Sequence, residues 1–300
     1  MKVLFYGSRG WIGSMFLDYL IKNNKDLLII EGSARIDSIE SVENEILLLK
    51  PTHVISFTGR TNGTLADGTV VNTIDYLEHP GKLHENIRDN LFGPMILSQF
   101  SNKYNYHYTY LGTGCIFNDL NTTVKYKESD NPDFFGSSYS IVKGFTDRLF
   151  NFQIKNNNQN SNLLNLRVRM PISSKPNNRN FINKIIKYSK ICSIPNSMTI
   201  LDDFFPIILD LMIKKKTGTY NCTNPGVISH NEILSEYKNI IDNSFEWSNM
   251  TLEEQSQILK AERSNNHLDT TLIESEYPDL PNINTSIKIL LQNMKNNIKY

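Results

Sequence analysis

The sequence is poor in cysteine and has no long apolar run. Its three cysteines, Cys115, Cys192 and Cys222, are widely spaced and form no CxxC pair, which argues against a zinc knuckle or a disulfide framework. The six histidines show no HxxxH or HExxH spacing, so no metal site is expected. No stretch approaches the roughly 18 apolar residues of a membrane span, and the N-terminus lacks the long apolar region of a signal peptide. We therefore expect a cytoplasmic protein that does not bind a membrane.

An excess of charge of one sign is also missing. Lys and Arg number 31, Asp and Glu number 31, and no basic run occurs. This balance argues against electrostatic binding of nucleic acid. Charged residues make up 21% and aromatic residues 10% of the chain, which is typical of a folded protein. A length of 300 residues suits one large α/β unit or a nucleotide-binding domain with a smaller cap.

Apolar runs alternate with amphipathic stretches from the first residue onward. This alternation predicts βαβ units and a parallel sheet of the doubly wound, Rossmann type. Residues 60–82 are predicted to form a long polar loop, and the asparagine-rich segment 156–162 a surface loop. The predicted strands cover residues 3–6, 27–30, 53–57, 108–111 and 163–168. The first predicted helix follows the turn 7–13 and runs to about residue 23, and the others cover 38–50, 84–104 and 138–152.

The pattern changes after residue 170. Helices and short extended pieces follow, and capping-box signatures begin at Ser229 and Thr251. We therefore predict an NAD(P)-binding domain over residues 1–170. Residues 171–300 are predicted to form mainly a smaller substrate-binding cap, which can return elements to the sheet.

A glycine-rich turn links the first strand to the first helix. Glycines there permit a tight turn and let the backbone approach a pyrophosphate at the helix N-terminus. The spacing is GxxGxxG rather than GxGxxG, and the alternative is a turn that binds nothing. The residues predicted to hold the dinucleotide are Gly7, Arg9, Gly10, Trp11, Ile12 and Gly13.

The end of the second strand bears on the choice of cofactor. An acidic residue there binds the ribose of NAD, whereas a nearby arginine accommodates the 2′-phosphate of NADP. Glu31 is followed by Arg35, which together with Arg9 could hold a phosphate. We predict NADPH, while Glu31 leaves NADH possible. Alternatively, both arginines are ordinary solvated charges.

Tyr139 and Lys143 form a YxxxK pair on one helix face. The ammonium group can lower the pKa of the tyrosine, which then serves as a general acid. Thr113, just after a strand, can orient a substrate carbonyl. A YxxxK pair alone is common in helices, so this interpretation depends on the combination with Thr113.

The order and spacing of these residues resemble the extended short-chain dehydrogenase/reductases. The resemblance covers nearly the whole chain and is closest to the bifunctional epimerase–reductases of UDP-rhamnose synthesis, found in plants and giant viruses. The segment 60–82, the asparagine-rich loop and Pro94 depart from the plant pattern. The stretches that carry the resemblance are YGSRGWIG at 6–13, KPTHV at 50–54, TGCIF at 113–117, LRVRMPISS at 166–174, RNFINKI at 179–185, IPNSMTILDD at 194–203, NCTNPGVISHNEIL at 221–234, TLEEQ at 251–255 and RSNNHLD at 263–269.

The resemblance implies a UDP-4-keto-6-deoxyglucose substrate, inverted at C3 and C5 and then reduced at C4 with NADPH. It assigns Cys115 and Lys184 as the acid/base pair of epimerisation, and Thr113, Tyr139 and Lys143 to reduction. The ordinary pKa values, ~8.5 for cysteine and ~10.4 for lysine, would have to fall. Without the resemblance, a lone cysteine such as Cys115 is better explained as a small buried hydrophobe. Lys184 is then equally well explained as a solvated charge on a helix.

Further residues receive roles only through the resemblance. Thr58, Gly59, Met170 and Pro171 are expected along the cofactor. Asn180, Met198 and Arg263 are expected at the UDP end, with Arg263 on the pyrophosphate. The alternative for these three is packing within the cap or a surface charge, and His230 is expected to be structural.

Thr113-Gly114-Cys115 also bears on partners and on competing functions. Related 4,6-dehydratases carry Thr-Asp-Glu there, so a separate dehydratase is expected to supply the keto sugar. A homodimer is possible, and a viral chain would act in the host cytoplasm. The alternatives are a single-function dTDP- or UDP-4-keto-rhamnose reductase and a non-catalytic NADP-binding regulatory subunit.

Overall fold

The computed structural model describes residues 1–156 and 161–298, so most of the asparagine-rich segment predicted as a surface loop lies outside the described residues. The strands are β1 (Lys2–Tyr6), β2 (Leu28–Glu31), β3 (His53–Ser56), β4 (Gly63–Thr64), β5 (Val70–Val71), β6 (His107–Thr113), β7 (Lys125–Tyr126), β8 (Leu163–Val168), β9 (Lys190–Ile191), β10 (Gly218–Asn221), β11 (Ser248–Asn249) and β12 (His267–Leu268). The α-helices are α1 (Trp11–Asn23), α2 (Ile39–Leu49), α3 (Lys82–Ile87), α4 (Gly93–Tyr104), α5 (Ser138–Asn156), α6 (Phe181–Ile185), α7 (Leu201–Ile213), α8 (His230–Ile240), α9 (Leu252–Ile258), α10 (Thr271–Glu276) and α11 (Ile283–Ile298).

A six-stranded parallel sheet forms the centre of the fold. Its order is β10-β8-β6-β3-β1-β2, and each neighbouring pair runs parallel. The strand order reverses beside β1, as it does in doubly wound folds. The predicted α/β class is therefore confirmed. In the register of β6 and β8, Thr113 lies beside Val168, so both stand at the carboxyl edge of the sheet.

Side chains alternate between the two faces of the sheet along each strand, and helices cover both faces, so both are buried. Val3 and Phe5 of β1 pack against α1 and α7 on one face. Leu4 and Tyr6 pack against α2 and α4 on the other. This pattern explains why the strands read as continuous apolar runs in the sequence.

The C-terminal half contributes to two regions. Helix α7 packs on the sheet through Phe204 and Ile208, and β10 pairs with β8. The remaining helices α6, α8 and α11 surround a separate apolar cluster that includes Ile182, Ile233 and Ile287. Elements after residue 170 thus return to the sheet, while the domain boundary itself stays a prediction.

Both predicted capping boxes are present. Ser229 accepts from the backbone N–H of Glu232 and caps α8. Thr251 does the same for Glu254 at the start of α9. Side-chain acceptors of this kind satisfy backbone donors that have no partner inside the helix. They fix where these two cap helices begin.

Two segments differ from their sequence-based prediction. Residues 60–82 contain the hairpin β4–β5 and a 3₁₀ helix, Ile74–Glu78, in which Tyr76 is buried. The predicted helix 84–104 contains a π-helical turn just before Pro94. Proline has no N–H to donate backward. Thr146 instead donates to the Asn90 carbonyl at 2.7 Å.

Among the described helices, none combines the length and the apolarity needed to cross a membrane.

Candidate active site

A cavity of about 820 Å³ lies at the carboxyl ends of β1, β3, β6 and β8, between the sheet and the cap. This is where doubly wound sheets bind ligands. Gly7, Arg9, Arg35, Asn180 and Met198 are predicted residues that lie outside its lining. The predicted residues that line it are Gly10, Trp11, Ile12, Gly13, Thr58, Gly59, Thr113, Cys115, Tyr139, Lys143, Met170, Pro171, Lys184 and Arg263.

The glycine turn brings the N-terminus of α1 to the cavity. Gly7 has a φ of 86°, in the left-handed region that favours glycine. A Cβ on Gly13 would lie 2.0 Å from the Gly7 carbonyl oxygen, so the turn closes only without that side chain. The buried Nε1 of Trp11 has no hydrogen-bond partner in the described chain. This cradle fits a dinucleotide pyrophosphate on the helix N-terminus.

The end of β2 carries both groups that bear on cofactor choice. Glu31 accepts a hydrogen bond from Ser8 Oγ at 2.6 Å, which ties it to the glycine turn. Arg35 is exposed and pairs with Asp37 at 3.0 Å. Arg9 is also exposed. A 2′-phosphate would therefore have to draw Arg35 away from an existing carboxylate partner.

Thr113, Tyr139 and Lys143 converge on the cavity from two elements. Thr113 ends β6, while Tyr139 and Lys143 occupy the first turns of α5. Lys143 is buried, and its Nζ donates to the Tyr110 hydroxyl and, at 3.3 Å, to the Leu111 carbonyl. Burial lowers the pKa of Lys143 to about 7, although negative charge on Asp147 and Cys115 opposes this.

The pKa of Tyr139 moves in the direction opposite to the predicted one. Burial raises it, negative charge on Cys115 adds to the rise, and a hydrogen bond with Thr113 lowers it less. The sequence shows the spacing of Tyr139 and Lys143 but not that the phenol is removed from water. A raised pKa keeps the phenol protonated, which is the form that a general acid needs.

Cys115 and Lys184 reach the cavity from opposite regions of the chain. Cys115 follows β6, and its backbone N–H donates to Thr113 Oγ1 at 3.1 Å. Lys184 lies on α6 of the cap. Burial lowers the pKa of Lys184, and the positive charges of Arg179 and Arg263 lower it further. A lowered pKa favours the neutral amine, which is the form that accepts a proton.

Arg263 forms a contact that the sequence did not indicate. Its Nη2 lies 2.5 Å from Asp75 in the 3₁₀ helix of segment 60–82. Asp75 also accepts from the backbone N–H groups of Lys260 and Ala261. Burial raises the pKa of Asp75, but hydrogen bonds from Arg263, Thr73 and Ala261 outweigh it and bring the pKa to about 2. The ion pair therefore persists across the neutral range.

Asn180 and Met198 are completely buried beside the cavity. Asn180 is the N-cap residue of α6, and its Nδ2 donates to the carbonyls of Ser173 and Lys175. Met198 belongs to the apolar cluster of the cap. Both side chains therefore help to fix the position of α6, the cap helix that carries Lys184.

Several lining residues were not predicted. His230, expected to be structural, lines the cavity, and so do residues of the predicted loop, such as Asn62 and Asn72. Gln255 on α9 also lines it. The capping box at Thr251 marks where α9 begins, but no signal in the sequence indicated that it faces the cavity.

The fold and cavity define a doubly wound α/β protein of the Rossmann type with a second apolar cluster in its C-terminal half. The crystal structure of the UDP-rhamnose synthase from Acanthamoeba polyphaga mimivirus is similar at a TM-score of 0.91 and 50% identity, covering 98% of this chain and 99% of that chain. A bifunctional dTDP-4-dehydrorhamnose 3,5-epimerase/dTDP-4-dehydrorhamnose reductase of Arabidopsis thaliana is 40% identical over 304 residues, covering 99% of this chain and 95% of that protein. The chain belongs to the epimerase/reductase family of UDP-rhamnose synthesis, as the sequence predicted.

A longer plant protein is also related. A trifunctional UDP-glucose 4,6-dehydratase/UDP-4-keto-6-deoxy-D-glucose 3,5-epimerase/UDP-4-keto-L-rhamnose-reductase of Arabidopsis thaliana is 38% identical over 296 residues. The match covers 96% of this chain and 41% of that protein. No protein-family model matches the chain.

Proposed function

We propose that the protein converts UDP-4-keto-6-deoxy-D-glucose to UDP-L-rhamnose by epimerisation at C3 and C5 and NADPH-dependent reduction at C4. The observation that carries the proposal is one cavity lined by Cys115 and Lys184 as well as by Thr113, Tyr139 and Lys143. A reductase alone would need only the second set. A regulatory subunit would need neither.

Epimerisation uses the acidity of hydrogens next to the C4 carbonyl. When a base takes the proton from C3 or C5, the electron pair of the broken C–H bond moves onto the C4 oxygen. A proton returned to the opposite face of that carbon inverts the centre. Cys115 on the sheet side and Lys184 on the cap side are the groups proposed to take and return these protons.

Reduction uses the hydroxyl groups at the end of β6 and the start of α5. Tyr139 donates its proton to the C4 oxygen, and Thr113 orients that oxygen. Lys143 lies one helical turn beyond Tyr139, where it holds the ribose of the cofactor. When bound, the nicotinamide supplies the hydride that C4 receives.

NADPH is the proposed cofactor. The glycine turn supplies the pyrophosphate cradle, with Gly7, Gly10 and Gly13 making the close approach possible. Arg35 and Arg9 are the exposed cations available to a 2′-phosphate. Glu31 accepts from Ser8 and leaves NADH possible. Met170 and Pro171, which follow β8, line the same cavity as the glycine turn.

The proposal requires a separate 4,6-dehydratase to supply the keto sugar. Thr113-Gly114-Cys115 offers no carboxylate for eliminating water, and the trifunctional plant relative carries a dehydratase activity in its name.

Arg263 is the residue assigned to the UDP end of the substrate. A homodimer stays a prediction, for which the exposed Phe145, Leu149 and Phe152 of α5 provide an apolar stripe at helical spacing.

Deuterium exchange tests the epimerase activity separately from reduction. UDP-4-keto-6-deoxyglucose is incubated in D₂O without NADPH, and mass spectrometry measures incorporation. Cys115→Ser and Lys184→Ala should each slow exchange by ~10²–10⁴-fold, the usual contribution of a positioned acid/base group. Cofactor binding should survive, because neither residue belongs to the glycine turn.

Tyr139→Phe serves as the complementary variant. It should abolish NADPH oxidation while leaving cofactor binding largely intact, because only the phenolic proton is removed. If Cys115→Ser and Lys184→Ala both exchange at the parent rate, the protein is a plain reductase. Undiminished NADPH oxidation by Tyr139→Phe would contradict the reductase assignment.

A further inference from the structure

Arg169 is a buried cation without a carboxylate partner among the described residues. It follows β8 directly and is 1% exposed. Its Nη1 donates to the Ser197 carbonyl at 3.2 Å and its Nη2 to the Ser264 carbonyl, both neutral acceptors. Its buried Nε has no partner in the part of the chain that the structure describes. Because a guanidinium stays charged in proteins, this burial is costly unless negative charge lies nearby.

The neighbouring Arg167 shows how the protein treats a buried guanidinium with a structural role. It is equally buried and lies on β8, two residues before Arg169. The Asp147 carboxylate accepts from its Nη2 at 2.6 Å and from its Nε at 2.8 Å. One of the two arginines is therefore neutralised within the fold. The other remains available to a negative charge that arises during function.

The position of Arg169 points to Cys115. The backbone N–H of Gly114 donates to the Val168 carbonyl at 2.9 Å, which places the turn before Cys115 against the end of β8. A Cβ on Gly114 would lie 3.5 Å from Arg169 Cδ. The Arg169 side chain thus packs against Gly114, the residue that precedes Cys115. Burial lowers the pKa of Arg169, and negative charge on Cys115 acts in the opposite direction.

Other groups around the pair are less suited to this role. Tyr139 and Lys143 of α5 line the same cavity as Cys115. The pKa of Lys143 is about 7, so its charge is only partial at neutral pH. On the other side, burial and the charge of Arg169 lower the pKa of His230 to about 4, which leaves that imidazole neutral. Arg169 is the permanent positive charge of this group.

We propose that Arg169 is a positioning residue that stabilises the thiolate form of Cys115. The thiolate is the form that can take a proton from carbon, forming S–H as the C–H bond breaks and its electron pair moves onto the C4 oxygen. The inference rests on the proposed function, because Arg169 acts only through Cys115. It does not require Arg169 to touch the substrate.

The pH dependence of Cys115 alkylation tests this proposal without turnover. Iodoacetamide modifies the thiolate, and peptide mass spectrometry separates Cys115 from the buried Cys192 and Cys222. Arg169→Gln should raise the apparent pKa of Cys115 by about one unit, which lowers the alkylation rate at pH 7 about tenfold. Arg169→Lys should restore much of that rate. Arg148→Gln, which removes an exposed charge from α5, should change nothing.

Deuterium exchange provides the second readout. Its pH profile should shift with the alkylation profile in Arg169→Gln, whereas a merely structural role would lower the rate at every pH. An unchanged Cys115 profile in folded Arg169→Gln overturns the proposal. If Cys115→Ser and Lys184→Ala both exchange at the parent rate while the alkylation shift is present, the proposed function fails but the charge pairing stands.

A measurement on the parent protein covers the case in which the Gln variant does not fold. The ultraviolet absorbance of the thiolate is titrated in the parent and in Cys115→Ser, and the difference belongs to Cys115. A midpoint below the ordinary ~8.5 supports stabilisation by the buried cation. A midpoint at or above that value overturns it.

Discussion

At the residue scale, burial is the main source of chemical activity in the cavity. It lowers the pKa values of Lys143 and Lys184 and raises that of Tyr139. A neutral amine can accept a proton, and a neutral phenol can donate one. The shifts of Lys184 and Tyr139 therefore agree with the roles proposed for these two groups in epimerisation and reduction, whereas the lowered pKa of Lys143 weakens the ammonium charge predicted for it from the sequence.

Cofactor choice gives a prediction for Arg35. The side chain is exposed after β2 and is held at 3.0 Å by Asp37. We expect Arg35→Ala to weaken NADPH binding about tenfold or more, because a charge-assisted hydrogen bond contributes ~1.5–3 kcal/mol. NADH binding should hardly change. Calorimetric titration with both cofactors measures the difference, and Arg148→Ala is the matched control on an exposed face.

Equal losses for the two cofactors would mean that Arg35 does not contact the 2′-phosphate. Glu31 would then be the residue to examine, since it accepts from Ser8 at 2.6 Å at the same strand end.

At this scale, the sequence identified the site residues better than it predicted their pKa values and their ion pairs. The glycine turn, Thr113, Tyr139 and Lys143 were recognisable because backbone geometry and helix spacing impose local patterns. The raised pKa of Tyr139 was not, because it depends on burial by tertiary packing. The pairing of Arg263 with Asp75 joins residues far apart in the chain and has no local signal.

At the element scale, a buried histidine links the sheet to a helix from the C-terminal half. His53 of β3 is 4% exposed. Its Nε2 lies 3.2 Å from the Met212 carbonyl near the end of α7. Burial, the neighbouring His107 and nearby positive charges lower its pKa from 6.5 to about 4, although the Met212 carbonyl opposes this. The folded protein therefore holds His53 neutral where the unfolded chain would protonate it.

This shift predicts a loss of stability in acid. Between pH 6.5 and 4 the unfolded state binds the extra proton, so the free energy of unfolding falls as the pH falls. The contribution of His53 to stability is fully present above pH 6.5. Its complete loss below pH 4 lowers the free energy of unfolding by about 3 kcal/mol. Urea unfolding at pH 7 and pH 4.5 should show a smaller difference for His53→Gln than for the parent. An identical pH dependence in the two proteins would contradict the assignment.

Local periodicity explains which elements were predictable. Strands β1, β2, β3, β6 and β8 follow from their apolar patterns and were found within a few residues, whereas the sixth strand of the sheet, β10, was not predicted individually. The hairpin β4–β5 was missed because its strands have two residues each and lie within a polar segment. The π-helical turn before Pro94 depends on Thr146 of another helix, which donates to the carbonyl that the proline leaves without a partner.

At the scale of the whole molecule, Asp75 and Arg263 connect the segment 60–82 to the cap across the cavity. Asp75 also accepts from two backbone N–H groups beside Arg263 and from Thr73 Oγ1, so four donors hold one carboxylate. Thr73 and Ile74 of the same segment line the cavity. The ion pair therefore sets the position of one cavity wall and of the arginine assigned to the UDP end.

Asp75→Asn should weaken this connection and displace Arg263. The ion pair is only partly exposed, with 13% of the Asp75 side chain accessible, so its loss should cost between about 1 and 3 kcal/mol of stability. Steady-state kinetics should show a several-fold higher KM for the sugar nucleotide with a nearly unchanged KM for NADPH, because the glycine turn is untouched. Asp210→Asn removes the carboxylate paired with Lys214 on α7 and should leave both KM values unchanged. A lower KM for the sugar nucleotide in Asp75→Asn would show instead that Asp75 competes with the substrate for Arg263.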